Sequence, residues 1–132
     1  MSPAEPNRPP RVTPQILAAP KAGQLYWCRL WNEAELPEFH KTRPALVIAH
    51  TNSLNGHATI LPATTIAQPG NRWARRISTS LNRKETWVIC SHPQSVATSR
   101  FLLQRRIPTV TEEEMQEIRR LLAKWLHIEQ GG

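Results

Sequence analysis

The stretch E-F-H-K-T-R-P-A-L-V-I-A-H, Glu38 to His50, decides how this chain is read. Pro44 has no backbone N–H to give to a ladder, which suits the first residue of a strand. The run Ala45 to Ala49 is continuously apolar rather than alternating, and predicts a strand buried on both faces. Asn55-Gly56, within the turn Ser53 to Gly56, is a strong hairpin signal. The returning strand, Ala58 to Thr65, ends on a Thr-Thr pair near Arg43, and Glu38 stands five residues upstream of that arginine. A fixed cation, a carboxylate and hydroxyls gathered at one rim of a sheet suit a phosphate.

Outward from this hairpin the chain alternates short strands and loops. Gln24 to Trp31 mixes aromatics with alternating polarity and predicts a strand, and Asn32 to Thr42 predicts a loop. Ile66 to Arg72 is a further loop containing Pro69-Gly70. Trp73 to Thr79 and Thr86 to Cys90 predict strands separated by the basic turn Ser80 to Lys84, and Gln94 to Thr98 one more short strand. Thr111 with Glu114 makes a capping box, and Val110 with Met115 fits a hydrophobic staple. The helix that follows carries an apolar stripe of Met115, Ile118, Leu121, Leu122, Trp125 and Leu126. Arg119, Arg120 and Lys124 form its solvated face. Several short strands and one C-terminal helix predict a mainly β fold, a small and partly closed barrel.

The 132 residues allow one domain with one modest core. Residues 1–22 hold half of the twelve prolines and little apolar periodicity. They predict a proline-rich, disordered or loosely attached tail, leaving residues 23–132 as the folded domain. The first residues lack the apolar stretch of a signal peptide, and no segment is long enough to span a bilayer, so the expectation is a cytoplasmic protein. Cys28 and Cys90 sit in apolar strand patterns and predict buried, reduced thiols. Two thiols without a C-x-x-C spacing argue against a zinc site.

The formal net charge of +7 is unevenly placed: ten Lys or Arg against only Glu38 and Glu85 between Leu36 and Thr111. A body this positive suggests a polyanionic partner, either nucleic acid or an acidic protein segment. The chain contains no aspartate, whereas two-metal nucleases gather several carboxylates around their ions. No metal or other cofactor is therefore expected. If the chain cuts nucleic acid, RNA is the expected substrate, because its own 2′-OH can attack the neighbouring phosphate.

G-Q-L-Y-W-C-R-L (Gly23 to Leu30), Glu38, R-P-A-L-V-I (Arg43 to Ile48) and P-A-T-T (Pro62 to Thr65) occur in this order. With C-S-H-P-Q-S-V (Cys90 to Val96), they resemble the PemK/MazF family of toxins, whose own late segment reads C-D-Q-P-R-T-I. The resemblance runs from about Gly23 to the end. It implies the PemK/MazF/CcdB-type fold, an SH3-like barrel with a terminal helix, usually as a homodimer. It also implies a type II toxin that cleaves single-stranded RNA and is held by an acidic antitoxin with a disordered tail.

Arg43 matches the family's active-site arginine and would stabilise charge developing on the phosphorane. Thr64 matches the active-site threonine, and its hydroxyl can donate to a phosphate oxygen. Glu38 matches the acidic position, either as the base for the 2′-OH or as the group that holds Arg43. His40 and His92 are candidates for a proton relay, because histidine titrates near neutral pH. The expected RNA contacts are Thr65, Arg72, Trp73, Arg75, Arg76 and Ser91. Asn71 to Lys84 places five basic side chains around Trp73, although Arg75 and Arg76 must point to opposite faces of a strand. Trp27, Trp31 and Trp87 are expected in the core or a dimer interface, and His50, His57 and His127 at strand ends or on the surface.

The chain departs from the PemK-like branch, where an arginine and an aspartate flank the cysteine of the late segment. Here those positions are Ile89 and Ser91. Two other readings follow: an inactive SH3-like module binding RNA or an acidic peptide, or a barrel toxin with a non-RNA target such as gyrase.

Overall fold

A computed structural model describes residues 11–30 and 41–128. Six strands, β1 (Leu25–Arg29), β2 (Thr42–His50), β3 (His57–Thr64), β4 (Ala74–Ile77), β5 (Thr86–Ile89) and β6 (Gln94–Ala97), precede one helix, α1 (Glu112–Leu126). The ladders run in the order β1-β2-β3-β5-β4, with β6 also on β3. Strand β3 is the pivot. Its first half pairs with β6, from His57 on Ala97 to Ile60 on Gln94. Its last two residues pair with β5, Ala63 on Val88 and Thr64 on Trp87. The mainly β fold with a terminal helix matches expectation, but the sheet does not close into a barrel: β1 and β4 are the two ends of an open path.

The continuous apolar run of β2 has the predicted cause. Leu46 packs in a cluster with Leu25, Leu61, Val88 and the helix residues Met115, Ile118 and Leu121. Ala45 and Val47 point the other way, into a second cluster with Tyr26, Cys28, Ile60, Val96 and Phe101. Each face of β2 therefore has its own core, so neither parity along the strand can be polar. Pro44 is the third residue of β2, not the first. Cys28 and Cys90 are buried free thiols, and burial pushes both up to about 12.

Tertiary contacts add detail to one expectation, and two others differ from the structure. The β2–β3 hairpin turns at Leu54–Asn55 as the Asn55-Gly56 signal predicts, within a longer loop of residues 51–56 in which Asn52 has a positive φ of 56°. Gly56 is also held by the buried Thr98, whose hydroxyl accepts from Gly56 N–H (3.1 Å) and donates to Gly56 C=O (3.2 Å). A Cβ at Gly56 would meet Thr51 Oγ1 at 2.7 Å, so close approach rather than a left-handed backbone selects glycine. The segment 11–22 is not loosely attached, because Ile16 is 4% exposed within the second cluster. Finally, the apolar stripe of α1 is buried at Met115, Ile118 and Leu121, while Trp125 and Leu126 are exposed.

The start of α1 follows the sequence closely. Thr111 Oγ1 accepts from Glu114 N–H at 3.1 Å, and Glu114 Oε1 accepts from Thr111 N–H at 3.2 Å. Glu114 also accepts from Ser78 N–H at 2.7 Å, tying the helix to the chain just beyond β4. Val110 and Met115 are both buried in the first cluster.

Candidate active site

Register and alternation place the candidate residues. Ala45 pairs with Pro62 and Cys28 with Arg43, and side chains two residues apart share a face. Arg43 therefore lies on the face of Ala45 and Cys28, and Thr64 on the face of Pro62. These are one face, at one end of the β2–β3 pair. Thr64 is 5% exposed and its Oγ1 accepts from Ile66 N–H at 3.1 Å, which leaves the hydroxyl hydrogen to donate elsewhere. Arg43 is half-buried.

The same face continues through β5 and β4. Trp87 is the ladder partner of both Thr64 and Arg76. Its indole N–H donates to Glu85 Oε1 at 2.8 Å, and Arg76 Nη1 lies 3.8 Å from Glu85 Oε2. Thr64, Trp87 and Arg76 thus form a row across β3, β5 and β4, on the face that carries Arg43 at the end of β2. Trp87 belongs to this row rather than to the core alone; the register of Arg76, read through the basic turn, is the signal that would have found it.

The turn from Cys90 to Pro93 carries the chain from β5 to β6 beside the middle of β3. It brings Ser91 and His92 to this region, with Ser91 Oγ 3.1 Å from His92 Nδ1. Gln94 shares the face through its partner Ile60, and its Oε1 is a buried acceptor without a hydrogen bond. Thr65 follows Thr64 and is half-buried. Glu38 and His40 lie outside the described residues.

Other expected RNA contacts are placed elsewhere. Arg75 pairs with Val88 of the helix-side core, donates to Ala74 C=O at 3.0 Å and lines a crevice with Glu117, Arg120 and Lys124. Trp73 packs against that core and meets Trp125 edge-on at 5.2 Å, with Arg72 stacked over its ring at 4.8 Å. The structure does not bring Arg72, Trp73 or Arg75 to the Arg43–Thr64 face. Alternation sends Arg75 and Arg76 to opposite sides, as the sequence required. His50, His57 and His127 are exposed, the first two at strand ends.

A family model described as PemK-like, MazF-like toxin of type II toxin-antitoxin system matches residues 21–126. The chain belongs to this family. Solved structures of PemK/MazF-type proteins share the fold. MazF from Deinococcus radiodurans superposes with a TM-score of 0.64 at 24% identity, covering 83% of this chain and 97% of that one. An endoribonuclease in complex with its cognate antitoxin, from a mycobacterial species, gives 0.63 at 18%, covering 86% and 100%. A MazE–MazF complex from Deinococcus radiodurans gives 0.61 at 23%, covering 84% and 99%. No curated relative matches the chain. Within this PemK/MazF member, Ile89 is 2% exposed and pairs with Ala74. Ile89 is thus a buried apolar contact.

Proposed function

We propose that this toxin cleaves single-stranded RNA in the cytoplasm, without a metal, by attack of the strand's own 2′-OH on the adjacent phosphate. The observation that carries this reading is the placement of Arg43 and Thr64 on one face at one end of the β2–β3 pair. The 2′-oxygen bonds to phosphorus and the bond to the 5′-oxygen breaks, leaving a cyclic phosphate and a 5′-hydroxyl. Arg43 offers a permanently charged fork to the phosphate oxygens as negative charge builds on them. Thr64, already an acceptor for Ile66, has its hydrogen available for the same oxygens. One of Glu38, His40 and His92 takes the 2′-OH proton, and the departing 5′-oxygen is protonated in turn. Arg76 and Trp87 extend the face for a neighbouring phosphate and a stacked base, with Thr65 and Ser91 as further hydroxyl contacts.

The family points to an acidic antitoxin whose extended tail competes for this positive face, and to a homodimer. The body's charge supports that competition, since both ligands seek one cationic surface. Among the described residues no helix is long and apolar enough to cross a membrane. The experiment is end-group analysis of digested RNA beside an all-2′-deoxy copy of the same strand. Cyclic-phosphate ends and an uncut deoxy strand are expected; cleavage of the deoxy strand would refute the mechanism. The buried Ile89 favours one second reading, a binding module that retains RNA without cutting it. Salt-sensitive RNA binding with no cleavage would establish that alternative.

A further inference from the structure

Glu85 is the one acidic residue between Lys41 and Thr111, and its carboxylate stands among the residues assigned above to RNA. It precedes β5 by one residue and reaches two side chains of the Thr64–Trp87–Arg76 row. Its Oε1 accepts from the Trp87 indole N–H at 2.8 Å, and its Oε2 lies 3.8 Å from Arg76 Nη1. The backbone on either side of it is fixed, because the buried Thr86 donates its hydroxyl hydrogen to Lys84 C=O at 3.0 Å. The Glu85 and Arg76 side chains are 49% and 65% exposed, so this carboxylate is held at one end and open to a ligand at the other.

A negative charge here opposes the phosphates that the face must hold. Pairing with Arg76 does not account for it, because a 3.8 Å contact between two exposed groups contributes little. The shorter bond goes to Trp87, whose ladder partner is Thr64. Neighbouring strands lie about 4.8 Å apart, so the indole is one strand spacing from the hydroxyl assigned to the scissile phosphate. The base of an adjoining nucleotide stacks on the indole there, and its edge meets Glu85. An ionised carboxylate accepts at about four lone-pair positions, of which the indole N–H takes one. It therefore favours a base edge made of donors. Guanine alone among the four bases sets two donors side by side, N1–H and N2–H, and in a single strand that edge is unpaired.

We propose that Glu85 reads a guanine stacked on Trp87, accepting from its N1–H and N2–H, and so sets a base preference beside the cut. This proposal rests on the nuclease reading above and names a base that the same face selects. Glu85 is thereby a specificity residue, which chooses the strand without touching the reacting atoms. The phosphate contacts of the face position RNA of any sequence, and the lone carboxylate supplies discrimination among sequences.

The test is binding of fluorescent, uncleavable 2′-O-methyl oligouridylates that carry one central guanosine, inosine or adenosine. Wild type is compared with Glu85→Gln after thermal melts confirm folding. Glutamine keeps an acceptor for the Trp87 indole and puts an amide donor where the second oxygen was, against the donors of guanine. Wild type should bind the guanosine strand about 10-fold tighter than the adenosine strand, the scale of one good base contact. Inosine, which keeps N1–H and lacks the N2 amino group, should fall between them. Glu85→Gln should bind the three strands alike, and on cleavable RNA it should lose the wild type's preference for sites that contain guanine. A guanosine preference that survives in Glu85→Gln, or a wild type that binds RNA without one, overturns the proposal and leaves the nuclease reading standing. Equal weakening of all three strands in Glu85→Gln assigns Glu85 to support of Trp87 alone and likewise overturns it. A folded wild type that neither binds nor cuts RNA refutes the nuclease reading, and the guanine site with it.

Discussion

Thr64→Val separates the chemical role of Thr64 from its structural one. Valine keeps the shape and β-branching but removes the acceptor for Ile66 N–H and the donor for a phosphate oxygen. The structural loss is one hydrogen bond beside the exposed Ile66, where water reaches the freed N–H, so about 1 kcal/mol of stability and roughly 4 °C in Tm are expected. Set against a total of about 5–15 kcal/mol, that leaves the variant almost wholly folded at assay temperature. The catalytic loss is larger. Removing one donor aimed at a developing oxyanion costs roughly 100- to 1,000-fold in kcat, or about 2.7–4 kcal/mol. Initial rates on a fluorogenic RNA under saturating substrate, with a thermal melt of the same samples, read the two effects separately. Thr64→Ser should recover most of the rate, since its hydroxyl can take the same position. A Thr64→Val enzyme whose kcat falls by less than about threefold, well under 1 kcal/mol, would refute the donor role.

Glu114→Ala removes the reciprocal half of the capping box and the 2.7 Å tie to Ser78, and should cost about 2 kcal/mol by chemical denaturation. Phe101→Ala empties a fully buried ring stacked on Tyr26 at 4.8 Å, and should destabilise by about 3–5 kcal/mol in the same assay. Cys28 and Cys90 should resist iodoacetamide in the native state near pH 8 and react fully in denaturant, as read by mass. Their folded pKa lies above the ordinary thiol value of 9.0, so the neutral thiols' contribution to stability is complete below pH 9 and is lost as pH rises toward about 12. A Cys28→Ala/Cys90→Ala protein should show a flatter decline over that range.

Features set by local pattern were legible in the sequence. The run Ala45–Ala49 announced a strand with core on both sides; two clusters cover Ala45, Leu46 and Val47, Ile48 packs against one of them, and Ala49 is exposed. Thr111 and Glu114 announced a cap that involves only their own turn of helix. Alternation alone was enough to part Arg75 from Arg76. What the sequence concealed depends on distant partners. Gly56 closes the β2–β3 loop against Thr98, forty-two residues away, which bonds both polar groups of Gly56. Ile16 looks like part of a polar, proline-rich tail until the second cluster receives it. Trp73 looked available for a base, and its packing on Trp125 and the helix-side core takes it away. Conversely, Trp87 joined the site only once its pairing with Thr64 was visible. The Arg43–Thr64 pair was legible because both lie on adjacent strands of one hairpin, and its extension across β5 and β4 was not.

The central claim is that Arg43, without a metal, drives RNA cleavage on this face. The direct measurement is digestion of varied single-stranded RNAs in EDTA by wild type and by Arg43→Ala, with melts confirming that both are folded. The account predicts cleavage by the wild type and a loss of at least about 100-fold in the variant, the scale of one transition-state contact removed. Equal cleavage by the two proteins, or none by a folded wild type, would contradict it.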